Sequence, residues 1–306
     1  MYKIELGKSG LLVPTVAVGC MRINNIEKKD AEKFVKTAMD MEANFFDHAD
    51  IYGNGECEEI FSEAVNMNSD IREKMILQTK CGIVRGKMFD FSKEHILESV
   101  DGSLKRLKTD YIDILLLHRP DALCEPEEVG EAFEILKSKG KVRHFGVSNQ
   151  NPFQIELLKK GLKTPVVANQ LQLSIAHSLM ISNGINVNMR NEEAVCRDGS
   201  VLDYCRLNDI TVQAWSPFQH GFFKGTFIDN PDFEPLNKKM EEMAEKYGVT
   251  KTSIAIAWIL RHPAKIQPVT GTMKIDRLKD CIKATEIRLS REDWYALYLS
   301  AGNILP

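Results

Sequence analysis

Residues 113–149 read DILLLHRPDALCEPEEVGEAFEILKSKGKVRHFGVSN and contain one complete strand–helix–strand unit. The apolar runs at 113–119 and 143–149 show little alternation with polar residues, which is typical of strands that are covered on both faces. The stretch 127–138 between them carries apolar residues at helical spacing. Gly140 follows this helix where a left-handed C-terminal cap would lie. The unit predicts two parallel strands joined by a helix.

The same alternation of short apolar runs and amphipathic stretches extends along the whole chain. A candidate β-hairpin at about 2–13, with its turn at Gly7–Gly10, precedes it. The predicted strands are VAVGC at 16–20, NFFDHA at 44–49, MILQTKC at 75–81, DILLLHR at 113–119, RHFGVSN at 143–149, VVANQLQ at 166–172, TVQAWSP at 211–217 and QPVTG at 267–271. The predicted helices are 28–42, 93–107, 127–138, 152–162, 198–208, 235–247, 251–262, 276–285 and 291–300.

Eight strand–helix units follow one another without a linker rich in Pro, Gly or Ser. This pattern predicts an α/β fold, a closed (β/α)8 TIM barrel that occupies residues 1–306 as a single domain with an N-terminal hairpin. The alternative is an open, doubly wound sheet, which requires a Gly-rich turn after its first strand. The residues after VAVGC are MRINN, which favours the barrel.

The bulk composition excludes several classes of function. The net charge of −3 gives no general electrostatic reason to bind nucleic acid or an anionic membrane. The N-terminus does not resemble a secretory signal, and no stretch reaches the roughly 18 apolar residues of a membrane span. Seven cysteines without a C-x-x-C pair argue against a zinc site or a disulfide framework and favour a cytoplasmic protein. We expect a small-molecule partner, whereas the oligomeric state is unknown.

Nearly every predicted strand ends in polar residues. In a barrel the C-terminal ends of the strands converge on one face, so residues distant in sequence meet there. Two long connections, 174–198 and 218–233, follow strands and belong to the same face. The polar residues at these strand ends are Asp47, Tyr52, Lys80, His118, Ser148, Asn149, Asn169, Gln170, Trp215 and Ser216.

Four of these residues suit proton transfer to a carbonyl oxygen. Lys80 alone could extend to the surface, but Asp47 on the adjacent strand is available to pair with a buried ammonium group. A positive charge beside Tyr52 is expected to lower the pKa of its phenol from about 10. Tyr52 would then act as a general acid, and neutral His118 could donate a hydrogen bond to the same oxygen.

His48 and Asp50 are expected to be structural. Strand alternation directs His48 away from Asp47, toward the helical layer, where we expect a hydrogen-bonded histidine. Asp50 is expected to brace the turn into Gly53.

These residues together resemble the aldo-keto reductases, and the resemblance covers essentially the whole chain. The motif D-x-A-x-x-Y is present as Asp47, Ala49 and Tyr52, and T-K as Thr79–Lys80. The remaining matches are the strand-4 histidine, the G-x-S-N motif and the strand-6 N-Q pair: His118, Gly146, Ser148, Asn149, Asn169 and Gln170. The phrases DHADIYG, LLLHRPD and GKVRHFGVSN further resemble a bacterial subgroup of oxidoreductases.

The resemblance implies NADPH-dependent reduction of aldehydes or ketones without a metal or a flavin. It implies that Tyr52 is the general acid, assisted by Lys80, Asp47 and His118. It also assigns Ser148, Asn149 and Gln170 to the nicotinamide carboxamide, and Trp215 to the place where the family usually stacks a tyrosine on the nicotinamide. Met21 and Ser216 are further candidate cofactor contacts.

The segment PVTGTMKIDRLKDC (268–281) matches the family's site for the other end of the cofactor. Thr272, Lys274 and Arg277 match positions around the adenosine 2′-phosphate, a dianion suited to these cations. The start of the following helix adds N–H groups and a favourable dipole. Gly271, Asp280 and Cys281 are neighbouring positions: Asp280 keeps the family's acidic residue, whereas Gly271 replaces a frequent lysine and Cys281 a frequent asparagine.

The substrate pocket is less well defined by the sequence. We expect its walls to come from 82–92, 174–198 and 218–233, with Met21 and aromatic residues such as Phe218, Phe222 and Phe223 as candidates. Arg119 is expected to form structural ion pairs, whereas an inward-pointing Arg119 would favour acidic substrates. Two other functions remain as alternatives: a nucleotide-binding regulatory or redox-sensing subunit with little turnover, and a metal-dependent hydrolase, which would need more histidines and carboxylates at strand ends.

Overall fold

In the computed structural model, which describes residues 2–306, eight parallel strands close into a barrel. Closure is completed by the pairing of Val269 with Ala17 and of Thr270 with Val18. In chain order the strands are β1 (Lys3–Glu5), β2 (Leu12–Pro14), β3 (Ala17–Gly19), β4 (Phe45–Asp47), β5 (Ile76–Cys81), β6 (Ile83–Val84), β7 (Met88–Phe89), β8 (Ile112–Leu117), β9 (Val142–Ser148), β10 (Val166–Gln172), β11 (Thr211–Trp215) and β12 (Gln267–Thr270). The barrel runs β3-β4-β5-β8-β9-β10-β11-β12, which confirms the predicted (β/α)8 fold.

Helices surround the barrel and bury their apolar faces against the outside of the strands. The α-helices are α1 (Lys28–Asp40), α2 (Glu56–Ala64), α3 (Ser69–Arg72), α4 (Lys93–Leu107), α5 (Pro126–Ser138), α6 (Pro152–Gly161), α7 (Leu179–Ile185), α8 (Val201–Leu207), α9 (Glu234–Tyr247), α10 (Lys251–Leu260), α11 (Ile275–Lys283) and α12 (Arg291–Ser300). Gly140 follows α5 with φ of 70°, as the left-handed cap requires. No helix within residues 2–306 combines the length and apolar character that a membrane crossing needs.

The hairpin β1–β2 covers the N-terminal end of the barrel. Leu6 and Val13 are fully buried in one apolar cluster with residues of the barrel strands, including Phe45 and Val167. Gly7 N–H also donates to the hydroxyl of Thr211 at the start of β11. The predicted N-terminal hairpin is therefore confirmed, and it leaves the opposite end of the barrel open for a site.

A column of buried glutamines crosses the barrel interior, where apolar branched residues usually dominate. Gln267 Nε2 donates to the Pro14 carbonyl (2.6 Å), and Gln213 Nε2 donates to Gln267 Oε1 (2.8 Å). Gln78 Nε2 then donates both to Gln213 Oε1 (2.9 Å) and to Asp47 Oδ1 (2.6 Å). The column links the closed end of the barrel to a carboxylate at the open end.

Three α-helices and one hairpin were not predicted from the sequence. Helices α2 and α3 lie between the turn after Tyr52 and β5, and α2 packs beside α1 and α4 in the outer helical layer. The hairpin β6–β7 occupies much of the connection after β5, and α7 lies within the long connection 174–198. In α7 the buried face includes serine and asparagine beside apolar residues. The apolar periodicity by which a helix is recognised in a sequence is therefore weak there. The predicted elements otherwise differ from the observed ones by a few residues at their ends.

Candidate active site

The strand ends bring Asp47, Lys80 and Tyr52 into contact. Lys80 Nζ donates to Asp47 Oδ2 (2.8 Å), to the carbonyl of His48 (2.7 Å) and to the Tyr52 hydroxyl oxygen (3.2 Å). The Lys80 side chain is completely buried, and Asp47 is 3% exposed. Such a buried ammonium is stable only because a carboxylate and further acceptors replace its water.

A sharp turn after β4 positions Tyr52. The residues 53–55 all adopt left-handed conformations, with φ of 58° at Gly53, 56° at Asn54 and 96° at Gly55. At Gly55 an added Cβ would also lie 2.7 Å from the Arg106 side chain, so glycine suits both the backbone and the space. The turn leads the chain into α2. It leaves the Tyr52 ring half-buried, with the Tyr52 hydroxyl in contact with Lys80 Nζ.

Burial raises the pKa of Tyr52, and the nearby Lys80 only partly opposes this effect. The expectation that Lys80 would bring this pKa below its ordinary value is therefore wrong, because desolvation of the phenolate outweighs the attraction of the ammonium group. Burial alone would lower the pKa of Lys80, but its pairing with Asp47 and Tyr52 raises it instead. At neutral pH the pair is a protonated tyrosine beside a protonated lysine.

His118 lies directly after β8 and faces Tyr52. The two ring centroids are 5.9 Å apart and the rings meet edge to face. Burial, followed by the positive charges of Lys80 and Arg119, lowers the pKa of His118 well below 6.5. Nδ1 is buried without a hydrogen-bond partner among residues 2–306. His118 is therefore neutral near pH 7 and can act only as a hydrogen-bond donor or acceptor there.

Ser148, Asn149, Gln170 and Trp215 form a second hydrogen-bonded group at the ends of β9, β10 and β11. Trp215 Nε1 donates to Asn149 Oδ1 (3.1 Å), Asn149 Nδ2 donates to Ser148 Oγ (2.7 Å), and Ser148 Oγ donates to the Gln170 carbonyl (2.9 Å). Gln170 Nε2 reaches Asp47 Oδ1 at 3.0 Å. This group therefore adjoins the Asp47–Lys80 pair.

The backbone around the second group is strained. Asn149 and Ser216, the residues just after β9 and β11, have φ of 58° and 52°. Residues other than glycine rarely adopt this conformation, and such outliers concentrate at functional sites. Amides, a hydroxyl and a half-buried indole are also the groups needed to bind a carboxamide and stack on an aromatic ring. This donor set fits a nicotinamide.

The segment after β12 presents cations without partners. Lys274 precedes α11, and its N–H donates to Thr272 Oγ1 (3.1 Å). The Lys274 and Arg277 side chains are exposed and form no ion pair within residues 2–306, whereas Lys279 on the same helix pairs with Asp276. Free cations beside the N-terminal end of α11 fit a phosphate.

Two neighbours of this segment differ in their access to a ligand. Asp280 is partly exposed, whereas Cys281 is fully buried, with Sγ 3.7 Å from the Thr270 hydroxyl. Cys281 therefore faces the barrel and cannot take the role of an asparagine at a cofactor.

Arg22 is a candidate site residue that the sequence analysis missed. Its Nη1 donates to the Gly271 carbonyl at 3.1 Å, and a Cβ added at Gly271 would lie 2.9 Å from the same nitrogen. Gly271 thus makes room for an arginine from the adjacent strand end, because Arg22 follows Met21 shortly after β3 and β3 pairs with β12. A charged residue directly after an apolar strand was the available signal.

The side chains of His48 and Asp50 lie outside this hydrogen-bonded site, although the His48 carbonyl accepts from Lys80. The ring of His48 is fully buried in the helical layer, as expected. It packs against Phe61 on α2, and the two ring centroids are 4.6 Å apart. Neither of its nitrogens has a hydrogen-bond partner within residues 2–306, so the expectation of a hydrogen-bonded histidine is wrong. Burial lowers the pKa of His48 to about 3. Burial, and then the nearby Glu58, raise the pKa of Asp50 to about 7.

Comparisons with known proteins identify the family to which the chain belongs. The Aldo/keto reductase family model matches residues 15–298. Uncharacterized oxidoreductase YcsN of Bacillus subtilis is 37% identical, with 97% of each chain covered. A 6-dehydroglucose reductase of Novosphingobium aromaticivorans is 33% identical, and the match covers 99% of this chain and 96% of the reductase.

Solved structures show the same fold. The thermostable aldo-keto reductase Tm1743, solved with the inhibitor epalrestat, superposes with a TM-score of 0.79 at 26% identity. The superposition covers 98% of this chain and 100% of the Tm1743 chain. An aldo/keto reductase of Klebsiella pneumoniae, solved in complex with NADP and acetate, superposes with a TM-score of 0.77 at 23% identity. The superposition covers 100% of this chain and 97% of the Klebsiella chain. The chain therefore belongs to the aldo/keto reductase family of oxidoreductases.

Proposed function

We propose that this protein is an NADPH-dependent reductase that converts an aldehyde or ketone into an alcohol, with Tyr52 as the general acid. The observation that carries the proposal is the contact between the buried ammonium of Lys80, the Asp47 carboxylate and the Tyr52 hydroxyl. A fully buried lysine that serves only stability would not need to present its charge to a partly exposed phenol. Family membership supports the same reaction.

The proton comes from the Tyr52 hydroxyl. Because the pKa of Tyr52 is raised, the phenol holds its proton at neutral pH until the carbonyl oxygen gains negative charge. Lys80 stabilises the phenolate that remains, since its ammonium group lies 3.2 Å from that oxygen. Asp47 acts through Lys80: it fixes the ammonium group and compensates its charge.

His118 orients the carbonyl group. Its ring is neutral at neutral pH and lies edge-on to Tyr52, so it can donate one hydrogen bond to the same oxygen without competing as an acid. Two donors, one of which transfers its proton, then stabilise the developing alkoxide.

The remaining residues hold the cofactor, whose reduced nicotinamide supplies the hydride for the carbonyl carbon. Ser148, Asn149 and Gln170 would bind the carboxamide, and Trp215 would stack on the ring, with Met21 and Ser216 as further contacts. Thr272, Lys274 and Arg277 would bind the 2′-phosphate, which would make NADPH the preferred cofactor over NADH. The adenosine and phosphate end of the cofactor would also contact Gly271, Asp280 and, by its position, Arg22.

We also propose that residues 1–306 act as one catalytic domain in the cytoplasm. All seven cysteines are free, which fits a reducing compartment.

Reduction of a carbonyl panel tests the function. NADPH absorbance is followed with aliphatic and aromatic aldehydes and ketones, and the alcohol formed is quantified against NADPH consumed. We expect one alcohol per NADPH for several aldehydes. Micromolar binding of NADPH without any turnover would instead favour a regulatory nucleotide-binding subunit, and the absence of binding would contradict both functions.

A further inference from the structure

Arg119 has no acceptor for its guanidinium group. It directly follows His118 and is half-buried, yet it forms neither a hydrogen bond nor an ion pair with any group of residues 2–306. The expectation that Arg119 forms structural ion pairs is therefore wrong. Five N–H donors are left for water or for a ligand.

The other arginines near the core behave differently. Arg72 donates to the Tyr111 and Met75 carbonyls and pairs with Asp113. Arg106 pairs with the buried Glu58 at 2.8 Å. Burial of a cation is unfavourable unless acceptors replace its water, and this rule is met at both residues. Arg119 is the exception, and it lies beside the proposed catalytic residues.

Aromatic residues hold the Arg119 side chain in place. The guanidinium carbon lies 5.8 Å from the ring centroid of Trp215 and 5.5 Å from that of Phe222. Phe222 meets Trp215 edge to face, with ring centroids 6.1 Å apart, so the two rings flank the cation as two walls of a corner. Cation–π contacts of this kind orient a guanidinium group while leaving its N–H groups available for an anion.

Arg119 also gives the site an uncompensated positive charge. The charge of Lys80 is matched by Asp47 at 2.8 Å, whereas Arg119 has no carboxylate partner among the described residues 2–306. Its charge acts on His118, whose pKa it helps to lower, and Tyr52 in turn influences Arg119. The carbonyl-binding position between Tyr52 and His118 is therefore next to a free cation.

We propose that Arg119 binds a carboxylate of the substrate, so that the preferred substrates are aldehydes or ketones that carry a carboxylate on the same short carbon chain. The planar fork of a guanidinium matches the two oxygens of a carboxylate, and the aromatic surface of Trp215 and Phe222 contacts the carbons between the two groups. This assignment rests on the proposed carbonyl reductase function. The carboxylate takes no part in the reaction and only positions the carbonyl.

The test compares acids with their uncharged esters. Short ω-oxo acids, from glyoxylate to glutarate semialdehyde, are assayed beside their methyl esters with wild type, Arg119→Met and Arg119→Lys. Charged hydrogen bonds of this kind correspond to about 10- to 100-fold in affinity. We expect Arg119→Met to lower kcat/KM by that factor for the acids, mainly through KM, and to leave the esters within about twofold. Arg119→Lys should recover part of the loss.

A binding measurement keeps the inference testable without turnover. Binding of succinate, which cannot be reduced, is measured by isothermal titration calorimetry in the presence of NADPH. We expect saturation in wild type and a much higher half-saturation concentration in Arg119→Met. Thermal unfolding confirms that the variant folds, as expected for a side chain without protein hydrogen bonds.

The outcomes separate this inference from the function on which it rests. If neither acids nor esters are reduced, the reductase function fails, and the succinate titration still decides whether Arg119 binds carboxylates. If wild type reduces esters as efficiently as acids, or if Arg119→Met affects both equally, the carboxylate assignment is overturned while the reductase function stands.

Discussion

The ammonium nitrogen of Lys80 lies 3.2 Å from the phenolic oxygen of Tyr52, although Lys80 is completely buried and Tyr52 is partly exposed. The contact joins the interior of the barrel to its open face. On the inner side Lys80 is held by Asp47, and Asp47 accepts from Gln78 and Gln170. This arrangement holds the Lys80 charge at a fixed distance from the Tyr52 hydroxyl oxygen, so under the proposed mechanism the charge would need no reorganisation during proton transfer.

Replacing Lys80 should remove activity and stability together. Lys80→Met keeps the shape of the side chain but leaves the Asp47 carboxylate buried without its cation. Breaking a buried pair in this way costs about 3 to 5 kcal/mol, which urea denaturation would detect. Turnover should fall by about 10²- to 10³-fold, because a loss of this size follows when an enzyme loses one donor that stabilises the charge formed in the transition state.

The double variant Lys80→Met with Asp47→Asn is the matched control. It removes both charges, so we expect much of the stability to return while turnover stays low. Full activity in either variant would show that the Lys80 charge has no role in proton transfer.

The pH dependence of carbonyl reduction should follow Tyr52 alone. The pKa of Tyr52 is raised, so the proton is present below the ordinary value of about 10 and is lost only as pH rises above it. His118 is neutral throughout, because its pKa is well below 6.5. We expect kcat to be flat from pH 6 to 9 and to decline above 10. A decline that begins near pH 7 would instead indicate that Lys80 lowers the Tyr52 pKa.

His48 should make the protein less stable in acid. Its pKa is about 3 in the folded protein and about 6.5 when unfolded, so below pH 6.5 the unfolded chain binds the extra proton. The free energy of unfolding should therefore fall by about 3 kcal/mol between pH 6.5 and pH 4 from this residue. His48→Leu removes the ionisable ring, so its stability should decline less over this range. Parallel curves for wild type and variant would contradict the assignment.

Cofactor choice should depend on Lys274 and Arg277. The double variant Lys274→Ala with Arg277→Ala removes two unpaired cations and should weaken NADPH binding by about 10- to 100-fold. NADH, which lacks the 2′-phosphate, should bind almost unchanged. Quenching of tryptophan fluorescence measures both affinities, and Lys279→Ala, whose lysine already pairs with Asp276, is the control. An equal loss for both nucleotides would contradict the proposed phosphate site.

The barrel could be predicted because its signals are local. Apolar runs and helical spacing mark each strand and helix, and convergence of strand ends follows from closure. That geometry also predicted that Asp47, Tyr52, Lys80 and His118 would meet, as the structure shows. Helix α2 was missed although Cys57, Phe61 and Ala64 carry a helical pattern.

Other features depend on the environment that closure creates. The glutamine column is an example, since Gln78 within MILQTKC gives no sign that Gln213 and Gln267 will be its partners. The direction of the Tyr52 pKa shift depends on how far burial exceeds the effect of Lys80. The surroundings of Arg119 include Phe222, which belongs to a connection whose path the sequence does not specify.

The most direct test of the proposed function compares NADPH binding with turnover in Tyr52→Phe. This change removes one oxygen and keeps the ring, so the cofactor residues at Ser148, Trp215 and Lys274 are undisturbed. We predict an NADPH dissociation constant within about threefold of wild type, measured by tryptophan quenching, and loss of at least about 10³-fold in the rate of carbonyl reduction. Tyr52→Phe that reduces aldehydes at the wild-type rate would contradict the assignment of Tyr52 as the general acid.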